Sequence, residues 1–544
     1  MKICEIRDLD GPNLFLWKPA IKLELEAEEG AIQVSRAASE LAAGEPVSVA
    51  ELEPAEPERL MVLVVEVVNR LHDLCDQPRP DVAYRRMEEE GHYAVAYSWW
   101  HRRFAMALAK LALQFILGET RDIDNGVASL KQILASPPED DDAPQMVASR
   151  DRKTPIIAIT GTNGKTTTSR LISFILRHAG KKVGMTSSAG VYIDTEPVLQ
   201  GDYSGLGGAR RVLESDVDVA VLETARGGML LRGLGYEECD VSVVTNVSAD
   251  HLGLHGVLTV EGLAEVKSLV PRATREGGYA VLNADDPFVF AMREQIRARP
   301  FFISRRAISP EVRQHIENGG WALTLDDGQV HWWHDGTSDV VTSLNGIPIT
   351  FGGRAPHMVE NALCAAAGCL GLGLGIDQVR TGLAEFRSSS RDNHGRLNVY
   401  KLNGATVVID FAHNEAGLRQ LLEFAGHFRT GEGKMTAIVG TAGDRDEEAF
   451  RAIGRHAALQ ADHVIKKDTT KYLRGRQPGD MLRLLQRGID DAGTDVPVED
   501  APSEREACLR AFERVQSGDV IAVMCVEDYD FLLGYLDERG TPVN

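Results

Sequence analysis

The sequence predicts a multidomain α/β fold: a P-loop-type, doubly wound parallel-sheet domain, followed by a Rossmann-like α/β domain and preceded by a smaller α+β domain. Three observations carry this. PIIAIT, an apolar run with the length of a buried parallel strand, leads into GTNGKTTT and then an amphipathic helix from about Thr166 to His178, with Leu171, Ile172, Ile175 and Leu176 on its inner face. VDVAVLE (Val217 to Glu223) and VSVVTN (Val241 to Asn246) are further short strands, separated by about the length of a crossover. The same style returns after Arg396, where ATVVID, MTAIVG, DHVIKK and DVIAVM end at Asp410, Gly440, Lys467 and Met524 with helical stretches between them.

A chain of 544 residues has room for three or four cores at roughly 100–200 residues each. Residues 1–135 mix a strand-like start with helices. Met61 to Leu74 places Leu63, Val64, Val67, Val68 and Leu71 on one face, and Phe104 to Leu117 repeats the pattern. Residues 136–150, opening with SPPEDDDAPQ, read as a solvated acidic linker. The parallel-sheet domain spans 151–390, and a second polar break, Phe386 to Arg396, leads into the last domain, 391–544. That domain lacks GxGxxG after its first strand, so a bound NAD is not indicated. The net charge of −21 disfavours nucleic acid and anionic membranes as partners. No apolar run reaches the roughly 18–20 residues of a membrane span, and the charged N-terminus does not read as a secretory signal. The seven cysteines form no CxxC pair and read as buried thiols in a reducing compartment, so the expected location is cytoplasmic.

The chemistry concentrates where strands end. In a doubly wound sheet the functional groups gather at strand C-termini, which puts Thr160, Glu223 and Asn246 along one edge. Gly161, Thr162, Asn163, Gly164, Lys165, Thr166 and Thr167 lie between a strand and a helix. Glycines let backbone N–H groups turn toward phosphate oxygens, and the helix N-terminus adds its partial positive charge. Lys165 is placed to neutralise the β- and γ-phosphates of ATP, and the Thr166 hydroxyl to coordinate Mg²⁺. Glu223 and His251, each close behind a strand, can complete the metal shell. The structural alternatives are a helix N-cap or a salt bridge from Glu223 to Arg226, and an ordinary loop position for His251.

GTNGKTTT, ETARGG, TNVSADHLG, VLNADD, HMVEN, HGRLN and DFAHNE occur in the order they have in the Mur ligase superfamily, which the chain resembles over residues 150–544. Within it, ETARGG, DHLG and the late stretch IKKDTTKYLRGRQPGD are most like the cyanophycin synthetase branch, whose N-terminal domain the early Gly11-Pro12-Asn13 also resembles. That branch carries an ATP-grasp module between the two parts, where this sequence has only the acidic linker. The resemblance implies an acid–amino-acid ligase that uses ATP and Mg²⁺ to join an amine to a carboxylate through an acyl phosphate. It implies that Lys267 is a lysine carbamylated to hold a second Mg²⁺, and that Asn361 meets the adenine. Arg396 then contacts phosphate, Asp410 the ribose, and His413 and Asn414 complete a loop facing the nucleotide. Lys165, His251, Lys267 and Arg396 form the expected catalytic set, with hinge closure near Phe386 to Arg396. Glu415 and His394 stand where the family usually has proline.

The last domain of this family presents the incoming amine. Asp444, Arg445, Asp468, Arg474 and Arg476, with Arg226 of the central domain, are the candidate substrate contacts, and a charged surface loop is the alternative. A carboxylate there suits a cationic amino acid such as arginine. The implied partners are an amino acid and an acidic peptide or small acid, in a homo-oligomer. The alternative function is a catalytically inactive nucleotide-binding scaffold for another enzyme. Tyr97 to Arg103, aromatic and basic, reads as part of a helix packed in a core or subunit interface, the other reading being a polymer-binding surface.

Overall fold

A computed structural model describes residues 2–27, 35–44, 57–250 and 252–543. The first unit is an antiparallel sheet of β1 (Lys2–Leu9), β2 (Ala20–Glu26), β3 (Val82–Arg86) and β4 (His92–Ser98), in the order β1-β2-β4-β3. Helices α1 (Arg36–Ala43), α2 (Pro57–Leu74), α3 (Arg102–Leu117) and α4 (Ile123–Ala135) pack with it. The predicted face of α2 is the buried one: Val64, Val67, Val68 and Leu71 meet Leu23, Val95, Phe104 and Leu108 in one core. Tyr97 to Arg103 is not a single helix. Tyr97 and Trp99 are buried at and beyond the end of β4, Trp100 is exposed, and His101 caps α3 by accepting from the Phe104 amide at 3.3 Å. Nor is the acidic linker wholly solvated. Asp142 is buried, accepts from Arg103 Nε (2.8 Å) and the Glu139 amide (2.9 Å), and the Arg103 guanidinium holds its carboxyl well below the usual range.

The central unit runs β5 (Ile156–Thr160), α5 (Lys165–His178), β6 (Val183–Ser187), β7 (Gly190–Ile193), β8 (Glu196–Gln200), α6 (Leu206–Leu213) and β9 (Val219–Glu223). It continues with α7 (Arg226–Arg232), β10 (Cys239–Val244), α8 (Val260–Arg272), β11 (Thr274–Asn283), α9 (Pro287–Ala291), β12 (Arg299–Ser304) and α10 (Pro310–Glu317). Three antiparallel-paired strands, β13 (Trp321–Asp326), β14 (Gln329–His334) and β15 (Thr337–Ser343), then precede α11 (Pro356–Gly371) and α12 (Ile376–Glu385). The sheet order is β15-β14-β13-β12-β11-β10-β5-β9-β6-β7-β8, with parallel pairing from β13 through to β6 and antiparallel hairpins at both edges. Burial on both faces explains the unbroken apolar run of β5. Ile157 and Ile159 pack with Leu171, Ile172 and Ala366 on one side, while Ile156 and Ala158 pack with Val266, Leu269 and Val270 on the other. Because β9 and β10 lie on opposite sides of β5, the C-terminal tip of β5 opens into the crevice where such folds bind ligands.

The last unit contains β16 (Asn398–Leu402), β17 (Ala405–Asp410), β18 (Met435–Val439), β19 (His463–Lys467), β20 (Val498–Ala501), β21 (Val520–Met524) and β22 (Thr541–Pro542). Their order is β20-β19-β18-β21-β17-β16-β22, parallel from β20 to β17. Its core is continuous with one layer of the central unit, where Phe351 stacks obliquely on Phe424 at 4.9 Å. The N-terminal unit docks through Gly11-Pro12-Asn13. A Cβ on Gly11 would lie 1.9 Å from the Leu234 carbonyl oxygen, so only glycine permits this approach, and the fully buried Asp10 pairs with both Arg102 and Arg232. Among the described residues no helix is long and apolar enough to cross a membrane. Six cysteines are buried, but Cys4 is exposed, against the expectation for all seven.

Candidate active site

The phosphate loop is built from the tip of β5 by two glycines that nothing else can replace. Gly161 has φ +147° and Gly164 φ +88°; a Cβ would lie 1.9 Å from Thr245 Oγ1 at the first and 2.2 Å from Asn361 Oδ1 at the second. The segment after β10 fastens the loop. The Thr162 amide donates to the Asn246 carbonyl (2.8 Å), the Asn163 amide to Asn246 Oδ1 (2.9 Å), and Thr245 Oγ1 to the Asn163 carbonyl (2.7 Å). Lys165, the first residue of α5, curls its ammonium over the loop and donates to the carbonyls of Gly161 (3.0 Å) and Thr162 (2.9 Å). Thr167 is buried in the first turn of the same helix. A glycine-built loop at a helix N-terminus, with a lysine ammonium over it, is an arrangement that can receive an anion.

Hard oxygen donors lie beside it. Thr166 Oγ1 donates to Glu223 Oε2 at 3.0 Å, with Ser188 Oγ at 3.4 Å. Glu223 is buried at the tip of β9; burial pushes its carboxyl up, and the Lys165 and Arg396 charges pull the other way. A hydroxyl and a recessed carboxylate next to a phosphate cradle fit Mg²⁺. Lys267 projects from α8, buried, with Nζ 2.8 Å from the Gly161 carbonyl oxygen. Burial above all, and the neighbouring Lys165 charge, hold its amine well below the usual lysine range. His251 lies outside the described residues. Its neighbour Asp250 pairs with Arg445 and places Oδ2 3.4 Å from His413 Nε2.

The opposite wall comes from α11 and the last unit. Asn361 is buried on α11 against Gly164 and within 3.5 Å of Thr168 Oγ1. One turn earlier, His357 keeps a buried Nδ1 without a partner, and burial with the nearby Arg305 charge pushes its imidazole down to about 4. Arg396 rests over the Phe411 ring at 4.1 Å, and burial lowers it, opposed by Asp410 and Glu223. Arg170 of α5 donates to the His394 carbonyl at 2.7 Å and is pushed down to about 10 by burial and by the Arg396 charge. Neither guanidinium has a carboxylate ion pair among the described residues; Glu223 acts on both at longer range, and Asp410 on Arg396. Asp410 Oδ2 accepts from the Leu397 amide (2.7 Å), and burial raises its carboxyl. Asn414 crosses between units, donating to Asn163 Oδ1 at 3.3 Å while its own oxygen caps the next helix.

The residues expected to meet an amine are differently engaged. Asp444 pairs with the exposed Arg474, and Arg226 donates to the Leu254 carbonyl at 3.1 Å. Arg476 spends its donors on the carbonyls of Gly443 (2.8 Å) and Arg445 (2.7 Å), which shapes the loop. Asp468, buried at the tip of β19, accepts from the Gly479 amide at 2.8 Å and keeps its second oxygen buried and unpartnered. Sequence reasoning placed Asn246 on the functional edge but missed its anchoring of the loop, together with Arg170, Asp250 and Thr245. The TNVSADHLG motif contains Thr245, Asn246 and Asp250, whereas Arg170 carries no signal beyond a charge in an amphipathic helix.

Residues 159–369 match the Mur ligase middle domain, and residues 395–525 match the Mur ligase glutamate ligase domain. Cyanophycin synthetase from Synechocystis sp. is 38% identical over 371 residues, 68% of this chain and 42% of that protein, so the chain spans less than half the length of that relative. UDP-N-acetylmuramyl-tripeptide synthetase from Deinococcus radiodurans is 30% identical over 404 residues, covering 70% of this chain and 74% of that one. Among solved structures, E. coli FolC in complex with DHPP and ADP shares the fold, with a TM-score of 0.52 at 19% identity over 71% of this chain and 89% of its own.

Proposed function

The chain belongs to the Mur ligase family of ATP-dependent ligases, and from that premise we propose that it activates a carboxylate as an acyl phosphate and couples it to an amino acid. A carboxylate oxygen attacks the γ-phosphorus of ATP, the bond to the β-phosphate oxygen breaks, and ADP leaves. The amine nitrogen then attacks the acyl carbon, phosphate departs and a proton is lost, leaving an amide. In such transfers, charge neutralisation and alignment supply most of the catalysis. Lys165, Arg170 and Arg396 neutralise the transferred phosphoryl group, and the Gly161–Gly164 backbone holds its neighbours. Asn361 faces the adenine, Asp410 the ribose, and His413 and Asn414 close the loop over the nucleotide. Thr166, Glu223, His251 and a carbamate on Lys267 would hold Mg²⁺, which would supply further charge neutralisation. A neutral Lys267 amine is the form that adds carbon dioxide, and its burial favours that form.

The observation that carries this reading is the convergence of Lys165 and Lys267 on the Gly161 carbonyl, with Arg170 and Arg396 across the same crevice. The amine is a cationic amino acid such as arginine, received by Asp468 and Asp444 of the last unit, and the acid is an acidic peptide or small acid. The test is ADP release on a panel of amino acids and acidic peptides, with hydroxylamine present to trap the activated acid and mass analysis of the product. ADP release that needs no acid, with no hydroxamate formed, would refute it.

A further inference from the structure

Helix α8, which carries Lys267, begins under a residue from another unit. Its N-cap, Thr259, accepts from the Gly262 amide at 3.0 Å. Over that cap lies Glu88, from the turn between β3 and β4 of the N-terminal sheet. One carboxylate oxygen accepts from the amides of Leu258 and Thr259 (3.0 Å to the latter), and the other accepts from Thr259 Oγ1 at 2.8 Å. A carboxylate satisfies the free amides of a helix N-terminus and complements its dipole. Gly262, in the first turn, makes room for it, since a Cβ there would lie 1.8 Å from Glu88 Oε1. One turn on, Arg85 of β3 grips Glu265 with two parallel hydrogen bonds of 2.7 and 2.8 Å. Lys267 follows two residues later and reaches Gly161.

We propose that Glu88 and Arg85 are positioning residues for the phosphate loop: by fixing the start of α8, the N-terminal unit sets where Lys267 meets Gly161. This rests on reading Gly161–Thr167 as the nucleotide loop, and not on the identity of acid or amine. A helix whose first turn is released from Glu88 can rotate or fray, and the loop carbonyl then loses its Lys267 contact. Gly262 sharpens the point. In an ordinary helix Gly→Ala stabilises, but here the added methyl displaces Glu88.

The experiment titrates the full chain with a fluorescent, non-hydrolysable ATP analogue, with thermal melting to check folding. Glu88→Ala, Gly262→Ala and Arg85→Glu are each expected to weaken binding about tenfold, and the Arg85→Glu/Glu265→Arg swap to restore it to within about threefold. In a Lys267→Met background, Glu88→Ala is expected to add no further loss. A purely structural clamp would lower the melting temperature but leave the affinity of the folded fraction unchanged. That result, or full additivity with Lys267→Met, overturns the proposal. Wild-type binding with this response but no amide product would refute the ligase reading and leave the positioning role standing.

Discussion

The central and C-terminal units are both doubly wound sheets, yet their strand tips are charged in opposite styles. At the tip of β5 the side chains are basic and recessed: Lys165 and the buried Lys267 amine share a backbone carbonyl, and Arg170 and Arg396 lie together with no acidic ion-pair partner among the described residues. At the tips of β18 and β19 the charges alternate, Asp444 with Arg474 and Arg445 with Asp250 of the central unit. Buried basic groups without a close ion pair gain most when an anion arrives, and a polyphosphate supplies several charges at once. A balanced face suits a zwitterion, whose amine and carboxylate each displace one existing partner. The proposed function assigns the first face to the nucleotide and the second to the amino acid, and this contrast in charge is consistent with that division.

The sharpest way to break this comparison is at the cationic tip. Lys165→Ala is expected to reduce acid-dependent ADP release by about a thousandfold or more with an unchanged melting temperature, because the lost charge neutralises the phosphoryl transfer itself. Near-normal turnover would dissolve the contrast. Arg170→Ala and Arg396→Ala are each expected to cost about 10²-fold. The double variant should lose less than the product of the two, since each guanidinium alone is relieved of its like-charged neighbour. Steady-state rates at saturating ATP check both statements.

What the sequence made legible follows the same division. Strands β5, β9, β10, β17, β18, β19 and β21 announce themselves because two-sided burial demands unbroken apolar runs, and the Gly161–Gly164 loop because only glycine tolerates the φ angles and close approaches at its two ends. The edge hairpins β7–β8 and β13–β15 were not legible, since half-exposed antiparallel strands such as Glu196–Gln200 carry little apolar signal. Contacts made between units leave no spacing pattern. Asp250 with Arg445, Glu88 over α8 and Asp142 under Arg103 each join segments far apart in the chain. Arg170 reads as a solvated helix charge until Arg396 and the His394 turn close over it.

A milder test moves to the balanced face. Arg445→Ala removes one end of the bridge to Asp250 and is expected to raise the KM for the amino acid about tenfold while changing ATP affinity less than twofold. The Asp250→Asn/Arg445→Ala pair should be less damaging than the sum of its parts, because neither single change then leaves a buried charge alone. An equal loss of ATP affinity would mean that the two faces are not separate and that the bridge serves the nucleotide.

The smallest effect concerns stability, and its sign follows from the burial of the Lys267 amine. Lys267 is buried with its amine held below the usual 10.5, so near neutral pH the unfolded chain binds a proton there more readily than the folded one. Stability contributed by this group therefore rises with pH through the window between the depressed folded value and 10.5, and is lost as pH falls. Lys267→Met removes that penalty while keeping the apolar stem. At neutral pH it is expected to raise the melting temperature by about 2 °C even as it abolishes turnover, with the gap over wild type narrowing as the buffer is taken toward pH 10. A pH-independent gap would place the cost in packing. A variant less stable than wild type at every pH would mean that the Lys267–Gly161 contact holds the phosphate loop together more than burial of the amine strains it.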